Sequence, residues 1–194
     1  MMSQRRTESR RRTSGPWVID TREIGRRPGV SRNYHRSAPV QPGLGLADVV
    51  SVPEDGEVQL RLLVESVMEG VLVSGSATAP IVGECARCLE PVSDEIEVEL
   101  TELFAYPDSA TEATTDADEV RRLVDDKIDL EPVVRDAVVL ALPPAPLCAT
   151  DCEGLCPECG EKWADLESGH GHEKIDPRWA ALRERFTGGE SSPT

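Results

Sequence analysis

The chain has 194 residues, a net charge of −15 and 4% aromatic residues. This length suits one domain with appendages, and the scarcity of aromatic residues requires an aliphatic core, which a bound metal would help to stabilise. No apolar run reaches about 18 residues, and the arginine-rich start lacks the apolar stretch of a secretory signal, so we expect a cytoplasmic protein without a membrane span and with reduced thiols.

Charge is divided sharply along the chain. Residues 1–36 hold ten arginines and three acidic residues, a net charge of +7, and the remainder carries −22. We therefore expect residues 1–14 to be a disordered basic arm that could contact phosphates, on an acidic body that would attract basic proteins. A solvated tail and a surface charged for solubility are the simpler alternative.

Alternating apolar residues predict a β-rich core. Residues 17–20 are the first plausible ordered stretch, and 26–57 are rich in Pro, Gly and Ser, which predicts a loop with an edge strand. Apolar and polar residues alternate over 58–64 and 96–100, which predicts strands there. Glu69 and Gly70 predict a turn that leads into a further strand over 71–77.

A helix follows the strands. Pro132 suits a first helical turn, apolar residues recur on one face over residues 130–142, and Pro143 ends the pattern. A second, short helix is expected over 176–186.

The fold class predicted is α+β: a small antiparallel β-sheet, barrel-like or sandwich-like, with a helix leading into a C-terminal zinc-knuckle module. The predicted domains are a disordered arm (1–14), an α+β core (15–147), a metal-binding module (148–186) and a disordered tail (187–194).

Six cysteines form two clusters. The first is a C-x2-C pair, and the second holds four cysteines in twelve residues and is followed, after ten intervening residues, by an H-x-H pair. Thiolates select zinc or an iron–sulfur cluster over hard cations, and a C-x2-C pair can reach one metal from a tight turn. The candidate metal ligands are Cys85, Cys88, Cys148, Cys152, Cys156, Cys159, His170 and His172.

These ligands can be divided in two ways. In the assignment that we favour, Cys85 and Cys88 share one structural zinc with Cys148 and Cys152, and Cys156 and Cys159 share a second with the two histidines. In the alternative, the four C-terminal cysteines hold one metal and leave the first pair free. The first pair could instead be redox-active, although a catalytic C-x2-C pair usually opens a helix and this one lies between two predicted strands.

Catalysis has little support in the sequence. Four protein ligands per metal leave no position for substrate, and the chain lacks the P-loop, G-x-S-x-G, H-E-x-x-H and Rossmann glycine motifs. We therefore expect neither enzymatic activity nor a small-molecule substrate, and name no catalytic residue.

Three segments resemble the YceD family of large-ribosomal-RNA-subunit accumulation proteins. Residues 84–91 resemble its ECxRCLxP segment, 142–160 resemble LPxxPLCxxDCxGLCPxCG, and 176–182 resemble its closing DPRLAxL helix. Relatives often have C-x-C where this chain has His170-Gly171-His172, an exchange that keeps metal-ligating side chains.

The resemblance implies a role in the accumulation or processing of large-subunit ribosomal RNA. The implied partners are the large-subunit ribosomal RNA precursor, a basic ribosomal protein, or both. An acidic body is a poor surface for nucleic acid, which favours the protein partner. A thiol- or zinc-based redox-responsive regulator is the alternative function.

Overall fold

The structure, a computed structural model, describes residues 14–40, 42–107, 109–116 and 120–172. They form two compact units, which divide between Cys152 and Glu153. Cys148 and Cys152, which the sequence analysis placed in the C-terminal module, thus belong to the first unit.

The elements are β1 (Val18–Asp20), β2 (Ser31–Pro39), β3 (Gly45–Leu46), β4 (Val50–Ser51), β5 (Glu57–Ser66), β6 (Gly70–Glu84), β7 (Pro91–Ala105), α1 (Ala110–Thr114), β8 (Arg121–Arg122), β9 (Lys127–Asp129), α2 (Glu131–Ala141) and a 3-10 turn (Trp163–Asp165).

A seven-stranded sheet dominates the first unit. Strand β6 pairs antiparallel with β7 along one side and with β5 and β4 along the other. β2 pairs with the outer side of β5 over nine residues, β3 pairs with β4, and β8 runs parallel to the end of β7. β1 and β9 form a separate two-stranded sheet.

The predicted strands are present and longer than predicted. Val58, Leu60, Leu62 and Val64 are all buried, as their alternation predicted. β6 and β7 each have 15 residues, because Gly70–Glu84 and Pro91–Ala105 pair without interruption through Pro80 and the acidic residues of β7. Cross-strand pairing thus overrides weak local strand propensity. The long hairpin ends at Glu84 and Pro91, directly beside the first cysteine pair.

The edge strand expected within residues 26–57 is β2. Its sequence is mostly polar, and only Ala38 is buried in it. Such a strand shows little apolar alternation, because one side of it faces solvent and its partner β5 supplies the buried residues.

Helix α2 confirms the helix predicted over residues 130–142. Val133, Val134 and Val138 are buried and join the core of the sheet, and α2 packs against β7. The helix ends at Ala141, and the backbone N–H of the capping residue Leu142, just before Pro143, donates to the Val138 carbonyl. The second predicted helix, 176–186, lies outside the described residues.

The described chain is thus mostly antiparallel β-sheet with one main helix, and the barrel-like or sandwich-like arrangement stays a prediction. Neither helix in the described ranges has the length and apolar character needed to cross a bilayer.

Candidate metal centres

The tip of the β6–β7 hairpin forms a tight knuckle. The Cys85 N–H donates to the Glu90 carbonyl (2.7 Å), and the Leu89 N–H donates back to the Cys85 carbonyl (2.9 Å). Leu89 closes the turn with a φ of 63°, a left-handed conformation that is rare for a residue with a branched side chain. This turn brings Cys85 and Cys88 together, and both are buried.

The segment that follows α2 is bound to this knuckle. The Ala86 N–H donates to the Pro146 carbonyl (2.8 Å), and the Arg87 guanidinium donates to the Cys152 carbonyl (2.7 Å). Two stretches some sixty residues apart in the sequence therefore meet through hydrogen bonds on both sides of Cys148. The sequence analysis did not identify the role of Arg87, and its position inside the C-x2-C pair was the only signal available.

Four sulfurs converge at this junction. The Sγ atoms of Cys85 and Cys152 are 3.8 Å apart and those of Cys88 and Cys148 are 3.5 Å apart, and all four lie within 4.8 Å of one another. Sulfurs at the corners of a tetrahedral zinc site, with Zn–S bonds of about 2.3 Å, would be about 3.8 Å apart. The four donors therefore have the spacing of a tetrathiolate metal site.

Hydrogen bonds prepare one of these thiols for ionisation. Backbone N–H groups, first that of Cys148 and then that of Cys88, lower the pKa of Cys85 from 9.0 to about 6. The pKa of Cys148 is raised to about 12, mainly because the thiols of Cys88, Cys152 and Cys85 surround it. Four clustered thiols lose their last proton reluctantly unless a cation compensates the negative charge, which is what a bound metal does.

The second unit contains a knuckle with the same backbone pattern. The Cys156 N–H donates to the Glu161 carbonyl (2.7 Å), and the Gly160 N–H donates back to the Cys156 carbonyl (2.9 Å). Gly160 has a φ of 76°, at the position that Leu89 occupies in the first knuckle. The backbone N–H of Cys159 is the main cause of a lowered pKa of Cys156, about 6.

Two histidines complete the second donor group. The Nε2 atom of His170 lies 3.6 Å from the Cys159 Sγ, and the ligand atoms of Cys156, Cys159, His170 and His172 all lie within 4.8 Å of one another. The His170 ring meets those of Trp163 (centroids 5.6 Å apart) and His172 (4.6 Å) edge to face. Trp163, which the sequence analysis did not single out, thus helps to orient a candidate ligand.

The structure therefore groups the eight candidate ligands as the two-site assignment predicted. The alternative left Cys85 and Cys88 without partners, whereas their sulfurs lie beside those of Cys152 and Cys148. No disulfide joins any of the six cysteines, all of which lie in the described part of the chain. Both groups could hold a metal ion, since thiolate and imidazole are ligands that zinc accepts in fours. Metal binding at these residues stays a prediction.

Comparison with known proteins gives a consistent result. The family model described as "Large ribosomal RNA subunit accumulation protein YceD" matches residues 73–184, a range that includes all eight candidate ligands. An uncharacterized protein of Mycobacterium tuberculosis is 50% identical over 184 residues, which are 95% of this chain and 88% of the relative.

More distant relatives were also found. An uncharacterized protein of Mycobacterium leprae is 45% identical over 182 residues (94% of this chain, 83% of the relative). The uncharacterized protein YlbN of Bacillus subtilis is 32% identical over 111 residues (57% of this chain, 60% of the relative). No solved structure matches the chain significantly.

Proposed function

The chain belongs to the YceD family, and from this membership we propose that it is a non-enzymatic assembly factor of the large ribosomal subunit, with one structural zinc in each donor group. The family description implies a role in the accumulation of large-subunit ribosomal RNA. The match of the family model over residues 73–184 is the observation that carries the proposal, and a cytoplasmic location follows from ribosome assembly.

A structural role for zinc is supported by the donor sets. Each group offers four protein ligands, and a zinc with four protein ligands has no open position for water or substrate. In the first group the metal would hold the hairpin tip to the segment after α2, so that its binding energy would stabilise the sheet. The same complete ligand sets support a protein without catalytic activity.

The charges of the described residues support a basic protein as the direct partner. Arg22, Arg26 and Arg32 form ion pairs with Asp20, Asp126 and Glu23. Arg36 donates to the Val18 carbonyl (2.8 Å). Arginines that are engaged in this way offer less charge to phosphates, and residues 37–194 carry a net charge of −22. Among the arginines of residues 1–36, contact with the ribosomal RNA precursor would then fall to Arg27 and to the five arginines of residues 1–13.

Depletion of the protein in cells tests this function. We expect large-subunit ribosomal RNA and free large subunits to fall while small-subunit RNA is maintained. The wild-type gene should restore both, and a Cys85→Ser, Cys156→Ser double variant should restore neither. Normal ribosome profiles after depletion would overturn the proposal.

A redox-responsive regulator remains the second candidate, because one observation favours it. Cys148 is exposed, and its sulfur lies 3.5 Å from that of Cys88, so a peroxide could oxidise this pair to a disulfide and release the metal. Titration of thiols and of released zinc against hydrogen peroxide separates the two functions. A structural zinc should resist peroxide at concentrations that oxidise glutathione, and release below that range would favour the regulator.

A further inference from the structure

Among the residues that the structure describes, one side of strand β7 has no strand partner along most of its length. β6 pairs with one side of β7 throughout, and on the other side β8 pairs only at Phe104 and Ala105. Within the described residues, the outer side from Pro91 to Leu103 is therefore an open edge of the sheet. An open edge presents backbone donors and acceptors that can pair with another strand.

The hydrogen bonds at the ends of β7 show which residues face that edge. The Glu90 carbonyl accepts from Cys85, on the β6 side, and the Ala105 carbonyl accepts from Leu123 (3.1 Å), on the β8 side. The backbone N–H and C=O groups of successive residues in a strand point alternately to its two sides. The odd-numbered residues of β7 therefore direct these groups away from β6, toward the open edge. These residues are Ser93, Glu95, Glu97, Glu99 and Thr101, and all of them are exposed.

The same residues give the edge a strong negative charge. Glu95, Glu97 and Glu99 lie on one face of the strand, and Asp94 is exposed between Ser93 and Glu95. A second copy of this chain is a poor occupant, since two-fold antiparallel pairing centred on the middle of this edge would place Glu97 opposite Glu97 and Glu95 opposite Glu99. Like charges directly opposite one another destabilise a strand pair. A strand with Lys or Arg at every second position would face these glutamates favourably.

We propose that the outer edge of β7, from Ser93 to Thr101, binds an extended basic polypeptide segment as an added strand. The proposal deepens the function proposed above and rests on it for the class of partner, a basic ribosomal protein. Nine residues of β7 span roughly 30 Å, which is room for a partner segment of similar length. Backbone pairing would supply affinity, and the three glutamates would select basic side chains.

One contact shows how the edge is protected when no partner is bound. The carboxylate of Asp94 accepts the backbone N–H of Glu95 (2.8 Å), one of the outward-facing donors. Charged side chains at an edge are a common protection against non-specific pairing. An incoming strand has to replace this bond with one from its own carbonyl, so that a weak apolar strand is rejected while a basic one is attracted.

The experiment uses the full, zinc-loaded chain and two fluorescent nine-residue peptides. The first alternates Arg with Val or Thr, and the second keeps every Arg but has Pro in place of one central Val or Thr, because Pro cannot continue a strand. Fluorescence anisotropy should show binding of the first peptide and at least about tenfold weaker binding of the second. Equal affinities would mean attraction by charge alone and would overturn the proposal.

Two variants separate the backbone contribution from that of charge. Glu97→Pro removes an outward N–H that takes no part in the β6–β7 ladder, and should abolish strand binding with little effect on thermal stability. Glu97→Gln with Glu99→Gln keeps the edge and removes two charges, which should weaken binding about fivefold. Glu54→Gln with Asp55→Asn, in the turn before β5, makes the same charge change away from the edge and should stay within about twofold of wild type.

The remaining outcomes are also decisive. If a large-subunit RNA fragment binds and the β7 variants weaken it while the peptide does not bind, the surface recognises RNA and the proposal fails. If Glu97→Pro is less stable than wild type, Glu99→Pro, which also removes an outward N–H, takes its place.

Failure here and failure of the proposed function can be told apart in cells. If a Glu97→Pro chain fully restores ribosomal RNA after depletion, the proposed binding of a strand at the β7 edge is wrong and the proposed assembly function still holds. If cells without the protein have normal ribosomal RNA, the proposed assembly function is wrong, even if the peptide binds to the β7 edge.

Discussion

The two cysteine knuckles share one backbone conformation in two different settings. Residues 85–90 and 156–161 have matching hydrogen bonds, and each closes with a residue of positive φ. The first knuckle ends two 15-residue strands and meets sulfurs 60 and 67 residues away in the sequence. The second meets its histidines within residues 156–172. A similar local motif can therefore join distant parts of a fold or organise only its own segment.

The largest expected difference between the knuckles is in their effect on the sheet. Cys85→Ser should lose one equivalent of zinc and destabilise the first unit by more than about 3 kcal/mol, because the metal's binding energy holds the hairpin to the segment after α2. Cys156→Ser should also lose one equivalent but leave the sheet unchanged. Metal analysis and hydrogen exchange of β6 and β7 measure both effects.

Two results would break this comparison. One is a Cys85→Ser chain that still binds two equivalents, which would show that the first four sulfurs do not share a metal. The other is faster hydrogen exchange in β6 after Cys156→Ser, which would show that the second knuckle also supports the sheet.

The next expected difference is in the rate of metal loss. The second group has two exposed donors, Cys159 and His172, and the first has one, Cys148. Imidazole is also a weaker partner than thiolate for zinc when a chelator competes. We expect a chromogenic chelator to remove zinc from the second group about tenfold faster than from the first, in two phases.

A double exchange sharpens that prediction. His170→Cys with His172→Cys creates a C-x-C pair and should slow the fast phase, whereas the slow phase should not change. A Cys156→Ser chain should lack the fast phase. A slow phase that vanishes instead would reverse the assignment of the two rates.

The sequence was most informative where chemistry and periodicity agree. The spacing of the cysteines and histidines indicated both donor groups as the favoured one of two assignments. Apolar alternation predicted β5 and part of β7, and a turn signal predicted part of β6. It was least informative where a structure depends on distant pairing: β2 has almost no apolar pattern of its own, and the contacts of Ala86 and Arg87 join residues far apart in the chain. The open edge of β7 could not be predicted either, because the alternation of apolar and polar residues within one strand does not determine which strands lie beside it.

A smaller effect is expected from the side chain that joins the first knuckle to its partner segment. Arg87→Ala removes the charged hydrogen bond to the Cys152 carbonyl and should destabilise the first unit by about 1.5 kcal/mol, with both zinc equivalents retained. Arg135→Ala, at an exposed position of α2, is the matched control and should have no measurable effect. Thermal unfolding of the zinc-loaded proteins measures the difference, and equal values for the two variants would contradict the proposed role of Arg87.

The smallest expected effect tests whether the two turns are equivalent. Leu89 and Gly160 close them with φ values of 63° and 76°, and a residue with a Cβ pays about 1 kcal/mol for this conformation. Leu89 is 61% exposed, so its side chain contributes little packing, and Leu89→Gly should stabilise the first unit by about 0.5 kcal/mol. A Cβ at Gly160 would meet nothing within 4 Å, so Gly160→Leu should cost about 1 kcal/mol through the backbone alone, and Gly160→Asn less. Chemical denaturation of each zinc-loaded variant measures these changes. If Leu89→Gly were destabilising, the exposed leucine would have to make a contact that outweighs its strained backbone, and the two turns would not be equivalent.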